Sequence, residues 1–381
     1  MRRSTLTLVT LLLVVAAPLA GATTVGAASA QADSCTFPYS ATDATGTEVT
    51  VDSDPERVVT LSPSAAQTMW ELGASDEVVG VSQYAAYLDG ADEKANVSGG
   101  GGPSVERVLA ANPDLVLVPN STYGFARDRV EQIRAQGVPV FVFGAGTSLS
   151  FVADKTEQIG RLTGNCEAGR ESAAEIRTSV DQMREVLADE EKPVGLNYFY
   201  GYTSGANTFI GDVMTTGGLR NGAAEANITG FAQVNTETVV EMNPEYVVVP
   251  SGASVPNTAA WNSTTAVQEG NVVAVNENYL QQPAPRSVDA AETIMRAVHP
   301  EAFEEYRAMQ TQSNATATAA ETEMATTTGD APETTAQATT TVAVDDTPAA
   351  SQTATGTSTP GFGVLLAFVS LLATALLATR R

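Results

Sequence analysis

One histidine, His299, and two cysteines, Cys35 and Cys166, are all the imidazole and thiol among 381 residues. That excludes zinc fingers, Cys-ligated clusters and multi-His metal centres on this chain. It also removes most acid/base catalysis near neutrality, where histidine is the usual agent. No G-x-S-x-G occurs, and a Ser-His-Asp hydrolase would depend on His299 alone. Standing before Pro300, His299 reads as a surface residue, with an axial bond to a ligand metal as the lesser alternative. No catalytic residue, resident cofactor or metal site is expected. The chemistry left is that of binding. Glu106 and Glu237 occupy matching places in two similar segments, and each would sit in the first turn of a helix, where a carboxylate favours the dipole by about 0.3–1 kcal/mol. Aromatic residues are only 6% of the chain, yet several fall at strand ends or in Gly-rich loops. Of these, Tyr84, Tyr123, Tyr200, Phe231 and Tyr279 offer flat apolar faces suited to a large planar ligand.

The elements that must carry these residues are built twice. Ser104–Pro119 reads SVERVLAANPDLVLVP, and Asn235–Pro250 reads NTETVVEMNPEYVVVP, an ungapped repeat. Each copy predicts an N-cap (Ser104, Asn235), a short helix, a stop at Asn-Pro and an apolar strand. Strands without alternation are those of a parallel sheet covered on both faces. Further strands are expected at Arg57–Leu61, Val78–Val81, Val138–Phe143, Val194–Tyr198 and Val272–Val275, and a hairpin turns at Thr45-Gly46. A helix over Ser64–Leu72 is expected to use Ser64 and Gln67 as a capping box, and another spans Arg127–Gln136. Ser148–Leu162 and Glu167–Ala188 are polar, helical and nearly free of Gly and Pro; the second predicts one stiff helix about 33 Å long joining two lobes. The fold class is therefore α/β, two Rossmann-like lobes with parallel sheets joined by a long connector helix. The run Gly99–Gly102 lacks the Lys-Ser/Thr of a phosphate loop and reads as a flexible rim loop.

The expected division is a signal peptide over 1–30, a first lobe over 31–146, the connector over 147–192, a second lobe over 193–310, a Thr-rich stalk over 311–359 and an anchor over 360–381. Met1–Arg3 is basic, Leu6–Ala20 is apolar, and Ala28-Ser29-Ala30 is the cleavage site of choice. In the stalk, 17 of 49 residues are Thr, six are acidic and none is basic or aromatic, so it is read as a solvated coil. An uncharged run then ends in Arg380-Arg381, long enough to cross a bilayer. Outside the cell, Cys35 and Cys166 could pair as a disulfide, and Asn96, Asn120, Asn227, Asn262 and Asn314 stand in N-glycosylation sequons. The formal charge is −24, and Lys occurs only at 94, 155 and 192, the pattern of a salt-adapted surface. Nucleic acid is excluded as a partner. Because the screening length falls from about 10 Å at 0.1 M salt to about 3 Å at 1 M, stability is expected to drop as salt falls below roughly 1 M. A melting temperature independent of salt would contradict this.

The opening RVVTLSPSAAQTMWELGASDEVVGVS, the duplicated E-x-V-x-x-x-N-P-D/E block and the helical connector resemble helical-backbone substrate-binding proteins of ABC importers. The resemblance covers roughly Thr47–Tyr306. Within that family the chain is most similar to the cobalamin-binding component, on the segment Val81–Tyr84 and on Ala284-Pro285-Arg286 after a late aromatic loop. It implies capture of a cobalamin-like ligand between two lobes, by a monomer, and delivery to an ABC permease with its ATPase subunits. It also implies that Glu106 and Glu237 dock onto permease arginines, and that the late loop Asn278, Tyr279, Leu280, Gln281 and Gln282 meets the ligand. Asn278 and Gln282 stand where that loop has an acid and an Arg, and Gly99–Gly102 stands where a Trp precedes the first block. A ferric siderophore or haem is the alternative cargo. A structural or adhesive surface protein is a third reading. Stalk, Pro360-Gly361-Phe362, apolar run and Arg pair resemble the P-G-F sorting tail of archaeal surface proteins. That resemblance implies tail removal, lipid attachment and a folded part tethered outside the cell membrane.

Overall fold

The computed structural model describes residues 35–327, with side chains through 313. The expected signal peptide, the later stalk, the anchor and the Asn314 side chain lie outside the described residues. The first lobe opens with a hairpin, β1 (Tyr39–Thr42) against β2 (Glu48–Val51). It then runs β3 (Val58–Thr60), α1 (Pro63–Glu71), β4 (Val78–Val81), β5 (Ala95–Asn96), β6 (Ser98–Gly99), β7 (Gly102–Pro103), α2 (Val105–Ala110), β8 (Leu115–Val118), α3 (Asn120–Arg134) and β9 (Val140–Val142). Its main sheet is parallel, in the order β5-β4-β3-β8-β9. Leu115–Val118 is buried along its whole length, because helices cover both faces.

Two helices follow, α4 (Leu149–Leu162) and α5 (Cys166–Val186). The second lobe comprises β10 (Val194–Asn197), β11 (Tyr202–Ser204), α6 (Phe209–Thr216), β12 (Arg220–Asn221), α7 (Gly222–Glu225), β13 (Phe231–Gln233) and α8 (Thr236–Met242). It continues through β14 (Tyr246–Pro250), α9 (Ala259–Asn262), α10 (Thr265–Glu269), β15 (Val272–Val275), α11 (Glu277–Leu280), α12 (Ser287–Val298) and α13 (Pro300–Thr327). The sheet order is β12-β10-β14-β15, again parallel.

The repeat is structural as well as sequential. Ser104 caps α2 by accepting from the Arg107 amide, and Asn235 caps α8 by accepting from Thr238. Each helix stops at an Asn in the left-handed region, Asn112 at φ 47° and Asn243 at φ 42°. Asn tolerates that conformation, and the Pro that follows cannot continue the helix.

The expected long connector helix is α5, and α4 bridges the lobes beside it. Leu149, Val152 and Ala153 of α4 are buried in the second-lobe core, whereas Ile159 and Leu162 of the same helix belong to the first-lobe core. Helix α5 crosses back, from Cys166 to Ile176, Val180 and Met183 in the second-lobe core. Both helices therefore bridge the lobes. They touch at Gly160 and Gly169, where an added Cβ on Gly160 would stand 2.9 Å from the Gly169 Cα. Cys35 and Cys166 are joined by a disulfide with Cα atoms 5.6 Å apart, which fastens the start of the first lobe to α5. Two bridging helices resist bending better than one, so closure on ligand binding is expected to be a few degrees. X-ray scattering of residues 31–310 with and without ligand checks this, and a large fall in radius of gyration would contradict it.

Three local expectations are corrected. Ser62, not Ser64, caps α1, because Pro63 takes the first helical position. Gly99–Gly102 is no loose loop: it forms the tip of the β6–β7 hairpin, with Arg129 donating to the carbonyls of Gly100 (3.0 Å) and Pro103 (3.2 Å). Helix α13 continues to Thr327, well into the segment read as coil.

Candidate functional site

In open α/β sheets, ligands meet the loops beyond the carboxyl ends of parallel strands. Tyr84 follows β4, Phe125 lies early in the helix after β8, Tyr200 follows β10 and Tyr279 follows β15. Phe231 lies on β13, paired antiparallel with Ser204 of β11, the strand that follows β10. Aromatic rings thus gather at the same sheet edge in each lobe. Three stay largely in solvent: Phe125 (46%), Tyr200 (45%) and Phe231 (55%). Exposed rings at this edge are candidate contacts for an apolar ligand face. Phe125 is not among the expected contacts, yet it stands free, beside the side-chain-less Gly102. Tyr200 has φ 45° and Gly201 φ 88°, with Phe199 and Tyr202 paired across them. A tyrosine held left-handed costs about 1–2 kcal/mol, and here the tight turn projects its ring from the sheet edge.

Tyr123 and Leu280 do not fit the expected site. Tyr123 lies in α3, not a loop; its ring packs on the first-lobe core, and its hydroxyl donates to Glu131 at 2.9 Å. Arg127 and Arg134 lie 5.6 and 5.9 Å from its ring centre. Leu280 is fully buried in the second-lobe core. Asn278, Tyr279, Gln281 and Gln282 are half-buried. His299 is also corrected: only 8% exposed, it sits in the second lobe with Nε2 3.0 Å from the Gly218 carbonyl oxygen.

The late loop also bolts the lobes together. Gln67 of α1 donates to the Asn278 carbonyl at 3.5 Å and to the Tyr87 hydroxyl at 2.9 Å, and accepts from the Arg286 amide at 3.2 Å. Arg286 pairs with Glu71 at 2.6 Å. Burial pushes the Tyr87 hydroxyl up to about 12, so it stays neutral. Lys155 of α4, 5% exposed, donates to the Pro283 carbonyl, and burial pulls its ammonium down to about 7. Sequence patterns carry no signal for this bracket, because α1 and the loop lie more than 200 residues apart.

Glu106 and Glu237 are exposed, and among the described residues neither has an ion-pair partner. Each helix leads directly into a parallel strand and so runs antiparallel to it. The helix N-termini, with their glutamates, therefore face the same sheet edge as the aromatic rings. Asn96, Asn120, Asn227 and Asn262 are all exposed.

The sequence model of the periplasmic binding protein family matches residues 58–279, both lobes and the connector. The chain belongs to this family. It is 42% identical over 316 residues to a protein of Halobacterium salinarum named "Cobalamin-binding protein", covering 78% of this chain and 85% of that one. Among solved structures, the vitamin B12 binding protein BtuF of Vibrio cholerae superposes with a TM-score of 0.57 at 23% identity, covering 66% of this chain and 98% of that one. The haem-binding protein RhuT of Roseiflexus sp. RS-1 gives 0.57 at 24% identity, covering 64% and 99%. These two establish the fold. The family is one of binding proteins, and a substrate-binding role follows for this chain. A second model, the PGF-CTERM motif, matches residues 359–381. The protein is held at the cell surface through its C-terminus. Among the described residues no helix is long and apolar enough to cross a membrane.

Proposed function

We propose that this periplasmic binding protein captures a corrinoid of the cobalamin class between its lobes and hands it to an ABC permease and its ATPase subunits, without catalysis. The observation that carries the reading is the set of rings past the strand ends of both lobes: Tyr84 and Phe125 on the first, Tyr200, Phe231 and Tyr279 on the second. Such a set suits a broad ligand with two apolar faces. The one imidazole is buried in the second lobe, with Nε2 against the Gly218 carbonyl. The name carried by the Halobacterium relative supports the same cargo. Glu106 and Glu237 act as the docking points, the tail is exchanged for a lipid, and the exposed sequons accept glycans.

Titrating the purified protein with hydroxocobalamin, haem and a ferric hydroxamate, followed by intrinsic fluorescence, tests the cargo. Only the corrinoid is expected to quench. Truncating a well-buried contact costs about 2 kcal/mol, so Phe231→Ala should weaken corrinoid binding about 30-fold. Saturable binding of haem or hydroxamate with none of the corrinoid would assign the alternative cargo.

A further inference from the structure

Beside the paired strands β11 and β13, the second of which carries Phe231, lies a cavity of about 270 Å³. Thr147 lines it from the segment that leaves β9 and crosses to α4. Asn207, Thr208, Asp212 and Thr215 line it from the loop after β11 and from α6, with Asn221 at the back. Its rim adjoins β13, since the Gly205 amide donates to the Gly230 carbonyl at 2.9 Å, one residue from Phe231. The cavity therefore lies next to the strand that carries Phe231.

Most of its polar groups are already committed. The Asn221 amide donates to the carbonyls of Ser204 (3.0 Å) and Gly205 (3.3 Å), and its oxygen accepts from Ala224 at 3.2 Å. The Thr208 hydroxyl donates to Gly205 (2.7 Å) and accepts from Gly211 (3.1 Å). One Asp212 oxygen accepts from the Leu149 amide at 2.8 Å, which fixes the carboxylate against the start of α4. Among the described residues, the second Asp212 oxygen, the Asn207 side-chain amide and the Thr147 hydroxyl have no partner. The lining thus offers one acceptor-only group, on half-buried Asp212, and two exposed groups that can donate, on Asn207 and Thr147, with no Lys, Arg or His among the lining residues.

We infer that the cavity takes an uncharged carboxamide arm of the bound ligand: its NH₂ donates to Asp212, and its carbonyl accepts from Asn207. A carboxylate arm would meet the Asp212 carboxylate with no cation to offset it. The cavity then discriminates amide from acid. A corrinoid rim bears carboxamides, whereas haem bears carboxylates. This assignment rests on the corrinoid reading and deepens it.

The test compares cyanocobalamin with its monocarboxylic acids, in which one arm at a time is hydrolysed, against the purified protein. At least one positional acid is expected to bind about tenfold or more weakly, equal to 1.4 kcal/mol. Asp212→Asn, whose amide can donate to an acid, should shrink that gap to under about threefold. Because Asp212 also holds α4, Asn207→Gly is the second variant; glycine keeps the φ of 59° and deletes only the side chain. It should lose about three- to tenfold in cyanocobalamin affinity with an unchanged melting temperature. Equal binding of the amide and every monoacid, or parental binding by Asn207→Gly, overturns the carboxamide assignment alone. No cyanocobalamin binding by the parent protein overturns the corrinoid reading and the assignment with it.

Discussion

The double variant Glu106→Ala, Glu237→Ala is expected to lose uptake about a hundredfold or more, while its ligand affinity stays within about twofold of the parent. Both carboxylates are exposed on the first turns of α2 and α8, at the sheet edge, and neither is held by a cation of the described residues. Removing one partner of a desolvated charge pair across an interface typically costs about 2 kcal/mol or more, about 30-fold. The two residues lie on different lobes and share no contact, so their effects should add. Cap geometry is untouched, because Ser104 and Asn235 hold the helix starts through their own side chains. Each single variant should therefore melt within about 1 kcal/mol of the parent, the most a lost dipole interaction accounts for. The measurement is labelled-corrinoid uptake alongside equilibrium binding. Undiminished uptake by the double variant would remove these glutamates from docking; a parallel loss of ligand binding would place them in the ligand site instead.

The duplicated lobe was legible because its signals are local. A cap at Ser104 or Asn235, a stop at Asn-Pro and an unbroken aliphatic strand are all encoded within 16 residues. The connector was only half legible. Helical periodicity tells which face of α4 is buried, but not that Leu149 enters one core and Ile159 the other, since both cores want the same aliphatic side chains. Tyr123 misled for a related reason: Gly124 and the polar residues beside it look like loop, yet Pro119 lets a helix begin at Asn120 and turns that ring inward. The cavity beside β13 was invisible for the opposite reason. Thr, Asn, Asp and Gly are what an ordinary turn is made of, and only the fold shows which of their hydrogen bonds are already used.

Lys155 supplies the second large effect, one that no periodic pattern points to. Lys155→Met is expected to stabilise the protein by several kcal/mol near pH 6 and to give no gain near pH 11. Burial lowers the folded-state value from 10.5 to about 7, and among the described residues no carboxylate pairs with the ammonium. Between those two values the unfolded chain binds a proton that the folded chain does not, so the parent's stability rises with pH across that window. Below pH 7 both states are protonated, and the cost of the buried charge is fully present, about 5 kcal/mol at 1.36 kcal/mol per pH unit. Above 10.5 both are neutral, and the cost is gone. Methionine keeps the length and apolar stem and removes the charge, but it also leaves the Pro283 carbonyl without its donor, a loss of about 1 kcal/mol. The net gain should thus be about 4 kcal/mol at pH 6, should shrink steadily above pH 7, and should reverse slightly beyond pH 10. Denaturant unfolding of parent and variant at pH 6, 8 and 10, in molar salt, reads this as a difference in which other titrating groups cancel. A gain that does not change with pH would mean that the ammonium has a counter-charge or water in the folded protein, and that Lys155 holds the late loop as a cation and not as a neutral amine.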